Sequence, residues 1–181
     1  MQTETTNLPG VLVLKPEVFR DERGYFSELF SVEKYSQAGL TAEFVQDNHS
    51  GSSRGVLRGL HYQLHDPQGK LVSVIRGEVF DVAVDLRRSS DMFGRWCGTR
   101  LSGENKHQLW IPPGFGHGFL VLSDWADVLY KVTAPYAPQW DCSLRWDDPT
   151  IGIDWPLEDT SPLLSSKDAQ APFLAEAEVF P

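Results

Sequence analysis

Short runs in which apolar and polar residues alternate dominate the chain. In residues 78–86, EVFDVAVDL, the even-numbered positions from Phe80 to Leu86 are apolar, and the odd-numbered positions mix valine and alanine with aspartate. A period of two indicates a β-strand, because successive side chains of a strand point to opposite faces. Since both faces are partly apolar, the pattern leaves open which one is interior.

Similar short runs, separated by turn residues, predict further strands. They cover residues 10–14, 25–30, 55–64, 70–77, 94–101, 107–111, 117–123, 127–133 and 144–146. Helical signals are scarce: Ser31 can cap a short helix that ends near Gly39, and Ser161-Pro162 can open a turn near the C-terminus. Many short strands with few helices favour a sandwich or barrel over a fold of alternating strands and helices.

The chain carries no repeat or low-complexity linker that would divide it. Its 181 residues fit a single domain, residues 1–181. Residues 154–181 are richer in proline, serine and acids, and we expect them to form a C-terminal arm packed on the barrel. Residues 1–30 are expected to form an N-terminal arm, because such a segment can cover a sheet edge by pairing across a two-fold axis.

Charge and cysteine content narrow the function classes. With 16 Lys and Arg against 25 Asp and Glu, the net charge is -9, which argues against binding to nucleic acid or to an anionic membrane. The two cysteines, Cys97 and Cys142, form no CxxC pair and are too few for a disulfide framework. The N-terminus has no signal-peptide pattern, and no apolar run is long enough to span a membrane. These features predict a cytoplasmic protein.

Two histidines lie in unusual settings: His61 in RGLHYQ and His117 in PPGFGHGF. The second segment matches the second motif of the cupin superfamily, and the first lies where the first cupin motif is expected. Cupins usually bind a metal through an HxH pair, a downstream glutamate and the histidine of the second motif. Here Gln63 replaces the second histidine of the pair, and Lys70 occupies the region of the carboxylate. Two remaining histidines fall short of the ligand count of a catalytic metal site, so we predict no metal.

A closer resemblance extends over almost the whole chain. It rests on DERGYFSE (21–28), QDNHS (46–50), GVLRGLHYQ (55–63), QGKLVSVIRGEVFDVAVDLR (68–87), IPPGFGHGFLVLS (111–123), LYKVT (129–133) and SSKDA (165–169). Together, and in this order, these segments resemble the dTDP-4-dehydrorhamnose 3,5-epimerases. The resemblance implies a mainly β, cupin-type jelly roll with short helices, no metal and no cofactor. It also implies a homodimer with the nucleotide site shared between chains, and we expect Arg23, Phe26 and Glu28 of one chain to reach the nucleotide bound by the other. It also implies a dTDP-sugar substrate in dTDP-L-rhamnose synthesis.

The resemblance implies a set of catalytic residues that suits this chemistry. Epimerisation next to a ketone needs a base on one face, a group that stabilises the enolate, and an acid on the other face. His61 is the implied base, oriented by Asp168. Lys70, of the same strand parity as Val72 and Val74, is the enolate partner if that face is interior. Tyr130, of the same parity as Val128 and Val132, is the implied acid.

The substrate-binding residues are likewise implied by the family pattern. They are Arg23, Phe26, Glu28, Gln46, Asp47, Asn48, Arg58, His117, Tyr136, Asp141 and Lys167. Arginine matches diphosphate oxygens, side-chain amides suit a pyrimidine edge, and Tyr136 is placed to stack on thymine, with Trp140 as a nearby alternative. Asp141 stands where the family has a longer glutamate. Arg58 and His61 have opposite strand parity, and a bulge at Gly59 would bring both into one site.

The sequence leaves several alternative functions to weigh. A relative that inverts only one carbon, or a 3,4-ketoisomerase, would use a similar site. A binding module without catalysis would need the arginines and aromatic residues but no acid–base pair. A metal-dependent cupin dioxygenase is disfavoured by Gln63.

Overall fold

The computed structural model describes residues 1–157 and 160–181, and β-strands form most of its regular structure. The strands are β1 Gln2–Thr5, β2 Leu12–Lys15, β3 Val18–Asp21, β4 Gly24–Ser27, β5 Gln46–Ser53, β6 Leu57–Gln63, β7 Lys70–Arg76, β8 Glu78–Asp85, β9 Trp96–Ser102, β10 Gln108–Ile111, β11 Phe115–Val121, β12 Trp125–Val132 and β13 Asp141–Ser143. The helices are α1 Val32–Gln37 and α2 Ser166–Ala169, with a 3₁₀ turn at Pro138–Trp140. Among the described residues, neither helix is long and apolar enough to cross a membrane.

The strands form two large antiparallel sheets and a separate hairpin. One sheet has the order β1-β2-β10-β7-β12-β5, the other has the order β13-β6-β11-β8-β9, and β3 pairs only with β4. Apolar side chains from both large sheets, among them Val72, Val128, Ala83 and Phe119, share one buried core. Two facing antiparallel sheets around one core make a jelly roll, and the predicted fold class is confirmed.

Both faces of β8 are buried, which explains its pattern. Val79 and Ala83 face the core between the sheets, whereas Val82 and Val84 pack on the outer side against the C-terminal segment. That segment contributes a larger apolar set: Trp155, Leu174, Ala177, Val179 and Phe180. A strand covered on both faces reads as nearly continuous apolar sequence, so neither parity class could be chosen beforehand.

The short helix α1 covers part of the opposite sheet. Ser31 is its N-cap and accepts a hydrogen bond from the Lys34 backbone amide, as its position in the sequence predicts. Tyr35, 1% exposed, packs with Leu14, Leu71 and other apolar residues on the outer face of the sheet. The predicted helix is therefore confirmed, and its last residue, Gln37, lies close to the predicted end near Gly39.

Two local predictions were wrong, and one strand was not predicted. The C-terminal turn begins at α2, where Ser165 caps the helix, and not at Ser161-Pro162. The predicted strand at residues 144–146 lies earlier, at β13. The sequence analysis also missed β5, whose residues QDNHSGSS are polar on both faces. Its inner face lines a polar cavity and its outer face is exposed at a sheet edge, so no apolar alternation marks it.

Candidate active site

A cavity of about 430 Å³ opens between the two sheets and collects most of the predicted site residues. Its lining includes Gln46, Asn48, His61, Lys70, Tyr130, Tyr136, Asp141 and Lys167. A second cavity, of about 400 Å³, lies beside Arg54, Arg100 and Leu157 and contains none of the predicted residues. The predicted chemistry is therefore concentrated in the first cavity.

A bulge in β6 turns two residues of unlike parity to the same face. His61 pairs with His117 of β11 and Arg58 pairs with Phe119, so that Gly59 and Leu60 together oppose Gly118. Gly59 has a φ of +122°, and a Cβ there would lie 2.5 Å from the Gly118 Cα. Only glycine fits this crossing. The predicted bulge is confirmed.

His61 forms a short contact with the carboxylate of Asp168 at the cavity wall. His61 Nε2 lies 2.5 Å from Asp168 Oδ1, and the carboxylate side chain is only 3% exposed. Burial raises the pKa of Asp168, but hydrogen bonds from His61, Ser165 and the Gly59 backbone outweigh it, so the pKa lies below its usual value. The carboxylate stays ionised, fixes the imidazole ring and leaves Nδ1 as its basic nitrogen.

Lys70 brings an ammonium group into the interior. It begins β7, is 8% exposed, and donates a hydrogen bond to the His61 carbonyl oxygen, 3.4 Å away. Val72 and Val74, of the same parity, belong to the buried core, so the face left open by the sequence is interior. Burial lowers the pKa of Lys70 to about 8, although the charges of Asp141 and Asp81 oppose the shift. Such a group binds a developing negative charge strongly, because that charge restores the lost solvation.

Tyr130 lies in the same sheet as Lys70, on the adjacent strand, and in the opposite sheet to His61. It lies on β12 and packs against the core residues between the sheets, as its parity with Val128 predicts. Burial raises the pKa of its phenol, while the positive charge of Arg58 acts in the opposite direction. The phenol is therefore protonated at neutral pH and is able to donate a proton.

Polar side chains at the cavity mouth form a connected network. Asp141 Oδ2 accepts hydrogen bonds from the Tyr136 hydroxyl at 2.9 Å and from Lys167 Nζ at 2.5 Å. Gln46 donates to the Asn48 side chain at 2.7 Å and accepts from the Tyr136 backbone amide at 3.1 Å. The Tyr136 ring is half exposed, and one of its edges is fixed by these contacts.

Two predicted residues lie at the edge of this arrangement. Arg58 Nε donates to Ser52 Oγ at 3.0 Å, which holds the guanidinium against β5. His117 is buried, and its Nε2 lies 3.0 Å from both carboxylate oxygens of Asp81. His117 is the cross-strand partner of His61 and lies beside it in the same sheet, with Asp81 as an ionisable partner that no sequence pattern indicated.

Four predicted residues lie away from the cavity in this single chain. Asp47 projects from the outer face of β5 and pairs with Lys131 at 2.7 Å, because its parity is opposite to that of Gln46 and Asn48. Arg23, Phe26 and Glu28 belong to the β3–β4 hairpin or follow it directly. Arg23 pairs with Asp21, Glu28 pairs with Lys34, and Phe26 is 68% exposed. Arg23, Phe26 and Glu28 were expected to reach the nucleotide bound by a partner chain, so their position outside this cavity does not contradict the prediction. The side chain of Asp47 points away from the cavity, and its role in substrate binding stays a prediction.

The sequence analysis also missed residues that hold the site together. Gln63 was noted only as a replacement for a metal-binding histidine, but its side chain bonds the backbone at Asp66, Pro135 and Ala137. Ser52 and Asp81 position Arg58 and His117. No parity signal marked Ser52 or Asp81, because β5 shows no apolar alternation and both faces of β8 are apolar. Within the described residues, no group of three or more His, Cys, Asp or Glu side chains is arranged to hold a metal ion.

The fold and the cavity together define a class of protein. The cupin-type jelly roll carries a histidine–aspartate pair on one wall of the cavity and a protonated tyrosine on the other, with a buried lysine between them. These groups equip it as an acid–base enzyme. Comparison with known proteins narrows the class. The family model described as dTDP-4-dehydrorhamnose 3,5-epimerase matches residues 5–176, and the chain belongs to this family.

Individual relatives agree with the family assignment. A dTDP-4-dehydrorhamnose 3,5-epimerase of Pseudomonas aeruginosa is 54% identical over 182 residues, covering 100% of both chains. One from Methanothermobacter thermautotrophicus is 56% identical over 97% of this chain and 95% of its own. The crystal structure of a Legionella pneumophila dTDP-6-deoxy-D-glucose-3,5-epimerase in complex with dTDP-4-keto-L-rhamnose superposes with a TM-score of 0.95, at 50% identity, over 98% of this chain and 94% of that chain. This chain is thus an epimerase, an enzyme of the isomerase class.

Proposed function

We propose that the chain inverts C3 and C5 of dTDP-4-dehydro-6-deoxy-D-glucose and releases dTDP-4-dehydro-L-rhamnose for dTDP-L-rhamnose synthesis. One observation carries the proposal: the basic histidine and the protonated tyrosine belong to different sheets and line the same cavity. A flat sugar enolate held between them has a base on one face and an acid on the other. Inversion of a carbon next to a ketone requires this arrangement.

The proton transfers follow from the side chains. His61 Nδ1 removes the proton from the carbon next to the C4 ketone, and Asp168 stabilises the imidazolium that forms. The electron pair of the C–H bond moves to the ketone oxygen, where the Lys70 ammonium stabilises the enolate. The enolate then takes the Tyr130 proton from the opposite face. The His61 imidazolium releases its proton to solvent and the Tyr130 phenolate takes one from solvent, which restores both groups. Repetition at the second carbon completes the reaction.

The rest of the cavity is assigned to the nucleotide and the sugar. Arg58 and Lys167 are the cations suited to the diphosphate, and Gln46 and Asn48 supply amides for the pyrimidine edge. The half-exposed ring of Tyr136 serves as a stacking surface for thymine, held through its hydroxyl by Asp141. His117 supports the sugar end beside His61. No cofactor has a part in this mechanism.

We also infer a homodimer in which the β3–β4 hairpin of one protomer completes the nucleotide site of its partner. The hairpin pairs with neither large sheet, and Phe19, Tyr25 and Phe26 on it are exposed. Exposed aromatic residues of this kind are typical of protein interfaces. Arg23, Phe26 and Glu28, which lie outside the cavity of their own chain, then find their role at the partner's site. The whole chain, residues 1–181, acts as one epimerase domain, and its two free cysteines suit the cytoplasm.

Solvent isotope exchange tests the proposed reaction. The protein is incubated with dTDP-4-dehydro-6-deoxy-D-glucose in deuterated water, and the ring carbons are followed by NMR. We expect deuterium at both C3 and C5, together with the L-sugar. Label at one carbon only would identify a single-centre epimerase, and no label would indicate a binding module; either result overturns the proposal.

A further inference from the structure

The segment between β12 and β13, residues 134–140, carries two exposed aromatic side chains at the cavity mouth. Tyr136 is 54% exposed and Trp140 is 40% exposed. Apart from the 3₁₀ turn at Pro138–Trp140, the segment has no regular secondary structure. Exposed aromatic residues on such a segment need another source of order if they are to form a fixed surface.

Gln63, at the end of β6, supplies part of that order. Its Nε2 donates to the Asp66 carbonyl at 2.8 Å and to the Pro135 carbonyl at 3.2 Å, and its Oε1 accepts from the Ala137 amide at 2.9 Å. Both N–H groups and the oxygen are thus used on backbone groups. The side chain is 4% exposed, so these bonds are shielded from water. Gln63 holds the backbone on both sides of Tyr136.

Two further glutamines hold the same segment from other directions. Gln68 Nε2 donates to the Ala134 carbonyl at 2.9 Å, and Gln46 Oε1 accepts from the Tyr136 amide at 3.1 Å. The three glutamines come from β6, from the connection before β7 and from β5. Four successive residues, 134–137, are therefore each bonded to a glutamine side chain. We call Gln46, Gln63 and Gln68 the glutamine clamp.

We propose that the glutamine clamp, with Gln63 at its centre, preorganises Tyr136 as the surface on which a thymine base stacks. The inference rests on the proposed function and adds positioning residues to it. A ring that is already fixed loses little conformational entropy when a base stacks on it, so the clamp acts on affinity for the nucleotide and not on proton transfer. Gln63 occupies the position of a metal-binding histidine in the cupin pattern, and in this chain its amide serves the neighbouring backbone.

The substitution Gln63→Glu tests the clamp with almost no change in shape. The carboxylate can accept from Ala137 but cannot donate, and it faces the Asp66 and Pro135 carbonyl oxygens. We expect the Kd for dTDP, measured by calorimetry, and the KM for the dTDP-sugar to rise about tenfold, in the range expected for loss of one stacked base. The kcat at saturating substrate should stay within about twofold of wild type, because the mutation removes binding that is equal in ground state and transition state.

A matched control and a mutant cycle separate positioning from general stability. Gln108 lies on β10, in the sheet opposite to that of Gln63, is 1% exposed, and donates to the Leu29 carbonyl at 2.9 Å and to Ser73 Oγ at 2.7 Å. Gln108→Glu should lower the Tm without raising KM. In the background of Tyr136→Ala, Gln63→Glu should have no further effect on the Kd for dTDP, because the stacking surface is already lost.

The possible results distinguish failure of the glutamine clamp from failure of the proposed function. Three results would each overturn the clamp while wild-type epimerisation remains. The effects of Gln63→Glu and Tyr136→Ala on the Kd for dTDP could be additive, Gln63→Glu could leave that Kd unchanged, or Gln63→Glu could lower kcat at constant KM. Failure of the wild-type protein to epimerise would instead remove the proposed function. If Gln63→Glu does not fold, Gln68→Met removes one hydrogen bond to the same segment and must raise the Kd for dTDP; an unchanged Kd in that variant counts against the clamp.

Discussion

At the scale of single residues, the burial of each ionisable group determines what it can do. Asp168 remains a carboxylate because its hydrogen bonds outweigh its burial, and Tyr130 remains a phenol because burial opposes its ionisation. Lys70 is a cation in surroundings that favour its neutral form. The three groups therefore differ in charge, although they belong to one site: Asp168 is an anion, Tyr130 is neutral and Lys70 is a cation.

The base and the acid should fail in different ways when they are replaced. His61→Asn blocks removal of the proton, so exchange with deuterated water and inversion should both fall by about 10²- to 10⁴-fold. Tyr130→Phe keeps the ring and removes the hydroxyl, so His61 still forms the enolate and returns a proton to the original face. Exchange should then persist with retained configuration while formation of the L-sugar falls. NMR in deuterated water measures the ratio of exchange to inversion.

The exposed His49 provides the control for these two variants. It lies on the outer face of β5 beside Asp127, and His49→Asn should leave both exchange and inversion unchanged. If Tyr130→Phe abolishes exchange as completely as His61→Asn does, or inverts at the wild-type rate, Tyr130 is not the opposite-face acid.

Lys70 predicts a pH dependence of both activity and stability. The ammonium stabilises the enolate only when protonated, so kcat/KM should fall as the pH rises through about 8, the pKa of Lys70. The pKa of Tyr130 is raised, so Tyr130 does not produce this limb. Lys70→Met should reduce kcat strongly and leave residual activity without the limb near pH 8. Lys131→Met, on the outer face, should keep it.

The lowered pKa of Lys70 also predicts how replacement of this residue affects stability. Activity should fall, whereas the free energy of unfolding should rise. The folded-state pKa of Lys70 lies below its unfolded value, so its burial as a cation costs stability below pH 8, and the cost disappears as the pH rises from 8 toward 10.5. Lys70→Met should therefore raise the free energy of unfolding at pH 7 by about 1 to 3 kcal/mol. Urea denaturation at pH 7 measures it, and a less stable variant would contradict the assigned cost.

At the scale of elements, patterns that depend on one strand were predictable, and those that depend on neighbouring elements were not. The inward faces of β7 and β12 follow from the parity of Lys70 and Tyr130 with flanking valines. In contrast, β5 carries no apolar face, because the cavity demands polar residues there. Gln63 and Asp81 acquire their roles only through contacts with residues distant in sequence, so no local signal marked them.

The bulge in β6 predicts that alanine destabilises the protein more at Gly59 than at Gly55. Gly59→Ala would place a Cβ 2.5 Å from the Gly118 Cα and 2.7 Å from the His117 carbonyl oxygen, both of them backbone atoms. Gly55 also has a positive φ, +78°, but has nothing within 4 Å of the Cβ position. Gly55→Ala should cost about 1 kcal/mol through φ alone, whereas Gly59→Ala should cost more than about 3 kcal/mol. Urea denaturation compares them, and equal losses would show that the crossing is not tight.

At the scale of the whole molecule, the sequence predicted the epimerase family and the barrel correctly. Arg23, Phe26 and Glu28 do not line the cavity of their own chain, as expected if they serve the nucleotide site of a partner. In the proposed homodimer, a two-fold axis would bring the hairpin of each protomer to the cavity of the other. The shared site stays a prediction.

Subunit complementation tests the shared site. Arg23→Ala and His61→Asn each damage one component, and the two variants are mixed, unfolded and refolded together. In a mixed dimer one site combines the intact His61 of one chain with the intact Arg23 of the other, so about a quarter of all sites should recover. Mixtures of each variant with itself serve as controls. No recovery, or a monomer at micromolar concentration in sedimentation with full activity, would contradict the shared site.

Activity should also be independent of metal. The cupin metal position is occupied by Gln63, whose amide is fully bonded to the backbone, and by Lys70, a cation. Prolonged treatment with a chelator should leave turnover unchanged, and elemental analysis should find no stoichiometric metal. Loss of turnover that a divalent ion restores would contradict this expectation.

The origin of Asp168 ties catalysis to the C-terminal segment. The strands of both sheets are complete by residue 143, whereas the carboxylate that orients His61 comes from α2. The same segment covers the outer apolar face of β8 with Trp155, Leu174 and Phe180. Removal of this segment by a protease would therefore take away the partner of His61 and expose apolar surface at the same time, so that a clipped enzyme would lose activity and stability together.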